Sequence, residues 1–301
     1  MIDVSIIIVS YNGKDFLKKC LISILASIES KLSYEIIVVD NASSDESVES
    51  IKYYVSSIKY RNIRIIANKE NVGFSRANNQ GIKASKDSRY VLFLNPDTIT
   101  QKKTIEEMIK FMDYHKDAGA ATCKLIMPNG EIDDASHRGF PTPWNAFCHF
   151  FGLSKLFSHS KLFSGYSLGW MDLSKTHEID ALAGAFMLVR RKAGEEAGWW
   201  DEDYFFYGED IDFCYMLKEK GWKIYYVPTV SVLHYKGVSG GIKKVSKNIT
   251  TASQETKKRA TKWRFAAMKI FYNKHYKQKY PWFVSWLVDK GISLREHIVN
   301  I

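Results

Sequence analysis

Four runs of consecutive apolar residues in the first hundred positions have the unbroken hydrophobicity of strands that are buried on both faces. Each run ends in polar turn residues, and apolar residues at helical spacing follow it. This alternation predicts an α/β fold with a doubly wound, mainly parallel sheet and helices on its faces. The predicted strands are Val4–Ser10, Glu35–Asp40, Ile63–Ala67 and Tyr90–Leu94, and the predicted helices are Asp15–Ser27, a segment ending near Ser57, Ser75–Ala84 and Lys103–His115.

The hydrophobic pattern weakens in the middle of the chain. Residues 128–178 combine Pro, Gly, His and aromatic residues with little periodicity, which predicts a long active-site segment or a mobile lid. Regular patterns then return and predict four further elements. These are a strand at Ile179–Val189, an amphipathic helix at Glu209–Lys220, and two short strands, Lys223–Val227 and Val230–His234, around Pro228.

The strand Tyr90–Leu94 ends abruptly at the sequence Asn-Pro-Asp-Thr. Pro96 has no N–H for a sheet and disfavours helical backbone at Asn95, so the strand must end there. Asp97 is therefore expected at the carboxyl end of a central strand, where open α/β sheets bind their ligands. The alternative is a turn in which Asp97 caps the following helix.

Polar residues also follow the first two predicted strands. They include Tyr11, Asn12, Asp40, Asn41 and Asp45, whose groups suit the base and ribose of a nucleotide. The chain has no GxGxxG motif and no Walker-type glycine–lysine loop, so the usual phosphate cradles of dinucleotide-binding and P-loop proteins are missing. For Asp40 the alternative is that it caps the turn after its strand.

Composition is that of a globular protein, with 46% hydrophobic and 25% charged residues among 301. The four cysteines are widely spaced and include no CxxC pair, which argues against a zinc site or a disulfide scaffold and favours a reduced, cytosolic setting. Neither a signal peptide nor an apolar run of about 20 residues is found. We therefore expect a protein that is soluble or lies on a membrane surface.

The net charge of +10 is concentrated near the carboxyl terminus. Residues 241–280 contain twelve Lys or Arg and one Glu, a net +11 that leaves −1 for the rest of the chain. This basic arm could bind nucleic acid, pack on the body with a solvated face, or lie on an anionic membrane. The membrane interpretation is favoured because apolar residues recur at helical spacing among the basic ones: Trp263, Ala266, Ala267, Ile270 and Phe271.

Seven pieces in order resemble the inverting family 2 glycosyltransferases, which have the GT-A fold, and among them bacterial rhamnosyltransferases of O-antigen and cell-wall polysaccharide synthesis. The pieces are VSYN (9–12), VVDNASSD (38–45), NVGFSRANNQG (71–81), LNPDT (94–98), AGAFMLVRR (183–191), FFYGEDIDFCYMLKEKGWKIYYVP (205–228) and His234. The resemblance covers residues 4–237. It implies a catalytic domain at 1–237, with a nucleotide-binding half at 1–100 and an acceptor half at 101–237, and a basic helical extension at 238–301.

The resemblance also implies a reaction. A sugar moves from a nucleotide donor, preferably L-rhamnose from dTDP-L-rhamnose, to a saccharide acceptor linked to a polyprenyl diphosphate. A UDP-hexose or UDP-N-acetylhexosamine donor is the alternative. The expected location is cytoplasmic, peripheral to the inner face of the cell membrane. A nucleic-acid-binding protein is the distant alternative, which leaves the strand-end carboxylates without a task.

Site residues follow from the resemblance alone. Asp97 and His234 are expected to hold Mg²⁺ or Mn²⁺, although Asn95 replaces the first carboxylate of the Asp-x-Asp motif that many members carry. Asp210 is expected to be the general base, with Glu209 as the alternative; both carboxylates could instead only favour the helix dipole. Nucleotide-sugar contacts are expected from Ser10, Tyr11, Asn12, Asp40, Asn41, Asn71, Gly73, Asn78, Asn95 and Asp97.

Overall fold

A computed structural model of the chain describes residues 1–28, 31–57, 62–243 and 247–300. Its strands are β1 (Ile2–Ser10), β2 (Tyr34–Asp40), β3 (Ile63–Ala67), β4 (Ser88–Leu94), β5 (Thr98–Thr100), β6 (Ala118–Ile126), β7 (His177–Ile179), β8 (Phe186–Arg190) and β9 (Lys223–His234). Its helices are α1 (Lys14–Ser27), α2 (Ser47–Ser57), α3 (Phe74–Ala84), α4 (Thr104–Tyr114), α5 (Pro143–Phe150), α6 (Leu153–Leu156), α7 (Arg191–Ala197), α8 (Glu209–Glu219), α9 (Gln254–His275) and α10 (Trp282–Asn300), with a 3-10 turn at Asp134–Ser136.

In these residues the strands form one mixed sheet in the order β3-β2-β1-β4-β8-β6-β9-β5, with β7 also paired to β9. The strands β3, β2, β1 and β4 are parallel, whereas β8 is antiparallel to both of its neighbours. The predicted α/β fold is confirmed. The four parallel strands end at one edge of the sheet. Asp40 ends β2 and Asn95 follows β4, so both residues lie at this edge.

Both faces of the sheet are covered, which explains the unbroken apolar runs. Ile6 and Ile8 of β1 belong to one core cluster, which α1 and α4 complete, and the intervening Ile7 belongs to a second cluster on the other face. All three side chains are 0% exposed. Alternate residues of one strand thus enter two different cores, so neither face could tolerate regular polar substitution.

Two predicted strand boundaries are wrong. The predicted strand Ile179–Val189 is divided into β7 and β8, because β7 pairs with β9 whereas β8 lies between β4 and β6. The two predicted strands around Pro228 are one strand, β9. Its register against β6 shifts, so that Val227 faces Cys123 and Ser231 faces Lys124, and this irregularity accommodates a proline that cannot donate to the sheet.

The region 128–178 is more regular than predicted. It contains a 3-10 turn, two helices and a strand, although apolar periodicity gave no sign of them. The chain is also closely packed here: a side chain at Gly139 would lie 1.9 Å from the carbonyl oxygen of Gly165. This segment is therefore a closely packed part of the body.

The basic arm packs on the body, so the apolar stripe of α9 does not face a membrane as predicted. Ala267 and Phe271 are buried in a cluster with Tyr204 and Tyr215 of the body. Trp263 stacks on Phe205 with ring centroids 4.2 Å apart. The amphipathic pattern was read correctly as one apolar face, and its partner was the protein itself.

A buried carboxylate of α8 fastens the arm. Asp212 is 1% exposed, and its oxygens lie 2.8 Å from Lys274 Nζ, 2.6 Å from His275 Nε2 and 3.1 Å from the hydroxyl of Tyr204. If the carboxylate were removed, His275 and Tyr204 would lose this partner in a buried place, whereas Lys274 would keep Asp201.

We predict that Asp212→Ala lowers the free energy of unfolding by about 3–5 kcal/mol, because it breaks a buried charge network from one side. Urea unfolding measures the loss. The matched control is Glu219→Ala on the same helix: its carboxylate is 52% exposed and lies 3.7 Å from Lys279, so about 1 kcal/mol or less is expected. Equal losses for the two variants would show that Asp212 does not fasten the arm.

Candidate active site

Two open cavities meet at the carboxyl edge of the sheet. The smaller, of about 900 Å³, is lined by the end of β1, the loop before α3, the Asn95–Asp97 turn and α9. The larger, of about 1740 Å³, is lined by the 133–150 region, the start of α8, the end of β9 and both helices of the arm. Phe74, Asn95, Phe206 and Gly237 line both. The two cavities therefore form one continuous site.

Asp97 and His234 lie next to each other because β5 pairs with β9. The pairing places Thr98 opposite His234, so the residue before Thr98 meets the imidazole. His234 Nε2 is 3.5 Å from Asp97 Oδ1, and the two residues are 5% and 7% exposed. Asp97 lines the smaller cavity and His234 the larger, so the pair stands where the cavities join.

Behind His234 lies Asp133, which sequence reasoning did not identify. Its Oδ2 is 2.9 Å from His234 Nδ1, and Lys236 Nζ lies 2.6 Å from its Oδ1. A carboxylate accepts, so Nδ1 carries a hydrogen and Nε2 is left facing Asp97. Asp133 is in the irregular 128–178 region, where neither periodicity nor a motif distinguishes it from any other surface aspartate.

This arrangement favours a cation between the two carboxylates. Burial lowers the pKa of His234, but Asp97 and Asp133 outweigh burial and raise the pKa to about 9. Burial likewise opposes ionisation of Asp133, yet His234 and Lys236 hold the pKa of that carboxyl far below its usual range. The imidazole of the ligand-free protein is thus protonated at neutral pH, and its positive charge lies between the carboxylates of Asp97 and Asp133.

Two protein ligands for a divalent cation fit this place. His234 Nε2 is buried and has no hydrogen-bond partner among the described residues, and it faces a carboxylate oxygen. In the same residues no group of three or more His, Cys, Asp or Glu side chains could hold a metal ion. Asp97 and His234 would therefore need ligand oxygens to complete a coordination shell, as Mg²⁺ and Mn²⁺ accept from diphosphates.

Glu209 and Asp210 begin α8 and line the larger cavity. Gly208 before them has φ +84°, a turn that points the first residues of the helix into the cavity. Asp210 Oδ2 is 2.7 Å from Arg138 Nη2, and both side chains are largely buried. Arg138 comes from the 128–178 region, which lines the larger cavity with several residues, and its ion pair with Asp210 was not predicted.

The two neighbouring carboxyl groups differ in their surroundings. Glu209 is 7% exposed, and its Oε2 has no hydrogen-bond partner in the described chain. Burial, and then the adjacent Asp210, raise the pKa of Glu209 to about 8. At neutral pH Glu209 is therefore mostly protonated, whereas Asp210 is the carboxylate that an arginine pairs.

Asp40, the last residue of β2, lines neither cavity, and neither does Ser10 at the end of β1, so their predicted contact with the nucleotide stays a prediction. Asp40 Oδ1 accepts a hydrogen bond from the backbone N–H of Ser43 at 2.9 Å, which is the turn cap. Its Oδ2 is buried without a partner in the described residues, as is the hydroxyl of Ser10. Tyr11, between these strand ends, lines the smaller cavity. Buried acceptors without partners are expected where a ligand donates.

The loop before α3 is held by amide groups. Asn41 Nδ2 donates to Asn71 Oδ1 at 2.9 Å and to the Gly73 carbonyl at 3.1 Å. Gly73 has φ +89°, and a Cβ there would lie 2.9 Å from the carbonyl oxygen of Phe205, so only glycine fits. All three residues line the smaller cavity, but the Asn41 amide is used to shape the loop.

Asn12 and Asn78 line neither cavity. Asn12 Oδ1 accepts from the backbone N–H of Ser44 at 2.8 Å, which joins the turns after β1 and β2. Asn78 is 1% exposed and donates to the Phe74 carbonyl one turn earlier in α3. The amides of these two residues shape the turns and the helix, and their contact with the nucleotide sugar stays a prediction.

The arm contributes a wall that was not predicted. Trp263 and Arg259 of α9 line the smaller cavity, and the guanidinium of Arg259 lies 5.1 Å from the Trp263 ring. Trp263 belonged to the stripe assigned to a membrane. The basic residues among the aromatic ones were the sequence signal for this wall. An aromatic ring beside a cation also suits a nucleoside diphosphate.

Comparison with known proteins agrees with this geometry. A profile described as Glycosyl transferase family 2 matches residues 5–195. Rhamnosyltransferase WbbL of Escherichia coli K12 is 30% identical over 240 residues, which cover 77% of this chain and 83% of the relative. The N-acetylglucosaminyl-diphospho-decaprenol L-rhamnosyltransferase of Mycobacterium tuberculosis H37Rv is 26% identical over 246 residues, which cover 78% and 77%.

Solved structures share the fold. GalNAc-T7 with UDP, GalNAc and Mn²⁺ superposes with a TM-score of 0.58 at 16% identity, over 78% of this chain and 44% of the other. TarS of Staphylococcus aureus in complex with UDP superposes with a TM-score of 0.52 at 16% identity, over 88% and 65%. This chain spans less than two thirds of either structure, and at such identity the likeness shows the fold alone.

The raised pKa of Glu209 predicts a pH-dependent stability. Between its ordinary pKa of 4.5 and about 8, the folded protein keeps a proton that the unfolded chain has released, so this group makes stability fall as pH rises through that window. Glu209→Gln cannot ionise and removes this contribution. The melting temperature of the variant relative to the native protein should therefore increase as pH rises from about 4.5 to 8.

Differential scanning calorimetry across this pH range measures the effect. Each kcal/mol gained corresponds to about 2–4 °C for a chain of this size class. Glu219→Gln, an exposed glutamate of the same helix, is the control and should keep a constant offset from the native protein. A constant offset for Glu209→Gln as well would mean that Glu209 has an ordinary pKa.

Proposed function

Because the chain belongs to glycosyl transferase family 2, it is a glycosyltransferase, and we propose that it transfers L-rhamnose from dTDP-L-rhamnose, with inversion, to a lipid-linked saccharide. The observation that carries the proposal is the Asp97–His234 pair at the junction of two cavities. The smaller cavity is lined by Tyr11 and Trp263, and the larger one by the Asp210 carboxylate that Arg138 pairs. The rhamnose donor rests on the relatives, two of which are named rhamnosyltransferases.

The nucleotide occupies the smaller cavity in this proposal. The free Oδ2 of Asp40 accepts the imide N–H of the pyrimidine, and Trp263 and Tyr11 supply flat apolar walls. Thymine and uracil share this imide, so Asp40 does not distinguish dTDP from UDP. A UDP-sugar donor therefore remains the alternative.

The diphosphate lies at the cavity junction. Asp97 and His234 would hold the divalent cation, which when bound supplies a Lewis acid that neutralises the departing nucleoside diphosphate. Asp133 keeps the imidazole turned toward Asp97, so the chain contributes a fixed ligand geometry. A single strong carboxylate suffices here because the imidazole replaces the missing acid at Asn95.

Asp210 accepts the proton of the acceptor hydroxyl as it attacks the anomeric carbon from the cavity side. Glu209 is less suited because it is mostly protonated at neutral pH. Arg138 donates to Oδ2 of Asp210 and the backbone N–H of Ile211 donates to its Oδ1 at 2.8 Å, so both carboxylate oxygens keep a fixed direction. One displacement moves the sugar and inverts its configuration without a covalent intermediate.

The larger cavity receives the acceptor. Its lining combines aromatic and apolar residues with cations, including Lys243 and Arg264 of the arm region, which suits a saccharide joined to a phosphate-bearing lipid. The mycobacterial relative is named for a diphospho-decaprenol substrate. We therefore include a lipid-linked acceptor and peripheral association with an anionic membrane in the proposal. In the described residues no helix is long and apolar enough to cross a membrane.

The base assignment predicts that Asp210→Asn lowers turnover by about 10²–10⁴-fold while the affinity for the nucleoside diphosphate stays within a factor of about two. Turnover is measured as product mass from dTDP-L-rhamnose, and affinity by calorimetry with dTDP and Mn²⁺. Glu209→Gln is the matched control and should retain more activity. If Glu209→Gln collapses and Asp210→Asn does not, the base is Glu209.

The contact to the base predicts a nucleotide preference. With Mn²⁺ present, dTDP and UDP should stabilise the protein by about 2.7 kcal/mol at 100 times their dissociation constants, whereas CDP, which has no imide N–H, should bind about 10-fold more weakly. Asp40→Asn should reduce this discrimination because the amide can both donate and accept. Equal affinity of the native protein for CDP and UDP would remove Asp40 from the binding contact.

A further inference from the structure

Exposed large hydrophobic side chains are concentrated in two segments. Of the 18 that are exposed in the described part of the chain, 13 belong to residues 144–162 or to α10. We call these 13 the apolar rim. They are Trp144, Phe147, Phe151, Leu156, Phe157, Leu162, Trp282, Phe283, Trp286, Leu287, Leu294, Ile298 and Val299. A soluble monomer rarely leaves so much contiguous apolar surface in water.

Helix α10 is apolar on both of its sides. On its inner side, Val288 packs against the cluster that contains Ala267 and Phe271 of α9, and Ile292 is 9% exposed. Its outer side carries Trp282 and Trp286, which are 79% and 55% exposed. A surface helix of a globular protein normally presents charged residues outward, so the outer side of α10 is built for an apolar environment.

The two segments meet at the mouth of the larger cavity. Ala146 and Phe150 of α5 line the cavity together with Val288 and Ile292 of α10. The guanidinium of Arg295 lies 5.8 Å from the Phe150 ring, which joins the two helices directly. Residues of both segments therefore line the larger cavity, and the rim residues lie on the same segments, beside this lining rather than in it.

The charge around the rim favours an anionic lipid surface as its occupant. Residues 135–171 contain Arg138, Lys155 and Lys161 and no Asp or Glu, whereas in α10 two acids balance two bases. Lys155 and Lys161 are exposed beside rim residues Leu156 and Leu162. Such alternation of bulky apolar and basic side chains is the pattern of surfaces that insert into the headgroup region of anionic membranes.

Positive charge also stands behind the entrance. Burial, and then the nearby Lys236 and Arg264, lower the pKa of Lys243, which shows that cations are crowded at this wall of the cavity. The lining of the larger cavity thus combines apolar side chains, cations and the Asp210 carboxylate. These groups suit a lipid chain, a phosphate group and a saccharide hydroxyl.

We propose that the apolar rim docks on an anionic membrane, so that the larger cavity opens toward the lipid and receives its acceptor from the bilayer surface. This inference rests on the peripheral membrane association included in the proposed function and names the surface that performs it. The docking can be tested separately from the transfer reaction, because it depends only on the exposed residues and the surrounding charge.

The test uses the full chain and sedimentation with vesicles of phosphatidylcholine, with or without phosphatidylglycerol. The triple variant Phe151→Ser, Trp282→Ser and Trp286→Ser removes rim residues that line neither cavity. The control, Tyr53→Ser and Tyr114→Ser, removes side chains that are 78% and 85% exposed on α2 and α4. Matching melting temperatures establish that both variants fold.

We expect the native protein and the control to bind the anionic vesicles, and the rim variant to bind them at least about 10-fold more weakly. Binding should weaken as salt is raised. Rim and control variants that bind alike would overturn the proposal. So would a native dimer, seen by light scattering, that the rim variant converts to a monomer without any change in vesicle binding.

Activity separates this proposal from the proposed function. The rim variant should keep native transfer to a water-soluble, short-chain acceptor and lose transfer to the same saccharide on a vesicle-bound lipid. If no variant, nor the native protein, transfers sugar to either acceptor while the difference in vesicle binding persists, the proposed function fails and the docking surface stands.

Discussion

The pairing of three residues of β5 with the end of β9 is the constraint on which the site depends. It links the turn after the central strand β4 to the last strand of the sheet, which lie more than a hundred residues apart in the chain, and sets Thr98 opposite His234. Because the register of a strand pair is fixed by backbone hydrogen bonds, the separation of Asp97 and His234 is fixed with it. Cys20 and Ser23 of α1 brace β5 from below, through Thr98 and Thr100.

Around this pair the protein distributes charge by burial and by pairing. Each buried carboxylate has a cationic partner where charge is needed: His234 and Lys236 for Asp133, and Arg138 for Asp210. Glu209 has none at its Oε2 and keeps a proton instead. Two adjacent acids on one helical turn thus have different surroundings, because Asp210 forms an ion pair with Arg138 whereas burial dominates at Glu209, and their sequence positions alone would not distinguish them.

The sequence predicted what depends on local pattern. The buried strands were found because their apolar runs are unbroken, and Asp97 was placed correctly because Pro96 must end a strand. Asp133 and Arg138 could not be found, since their value comes from contacts with His234 and Asp210 across about a hundred and about seventy residues. The division of Ile179–Val189 was missed for the same reason. Only the pairing partners in the sheet decide where this apolar run stops pairing with β9, as β7, and begins to pair with β4 and β6, as β8.

The arm shows why an amphipathic pattern does not identify its partner. The stripe of α9 has the spacing of a membrane-surface helix, yet Ala267 and Phe271 are buried on the body, and Trp263 forms a wall of the smaller cavity. Helix α10, with less charge contrast, presents its aromatics outward because its inner side already has a protein partner. Removing the whole arm would therefore take away part of the nucleotide wall and the partners of Asp212 together with the rim. The arm has to be studied by surface substitutions in the intact chain, since α9 lines both cavities and α10 lines the larger one.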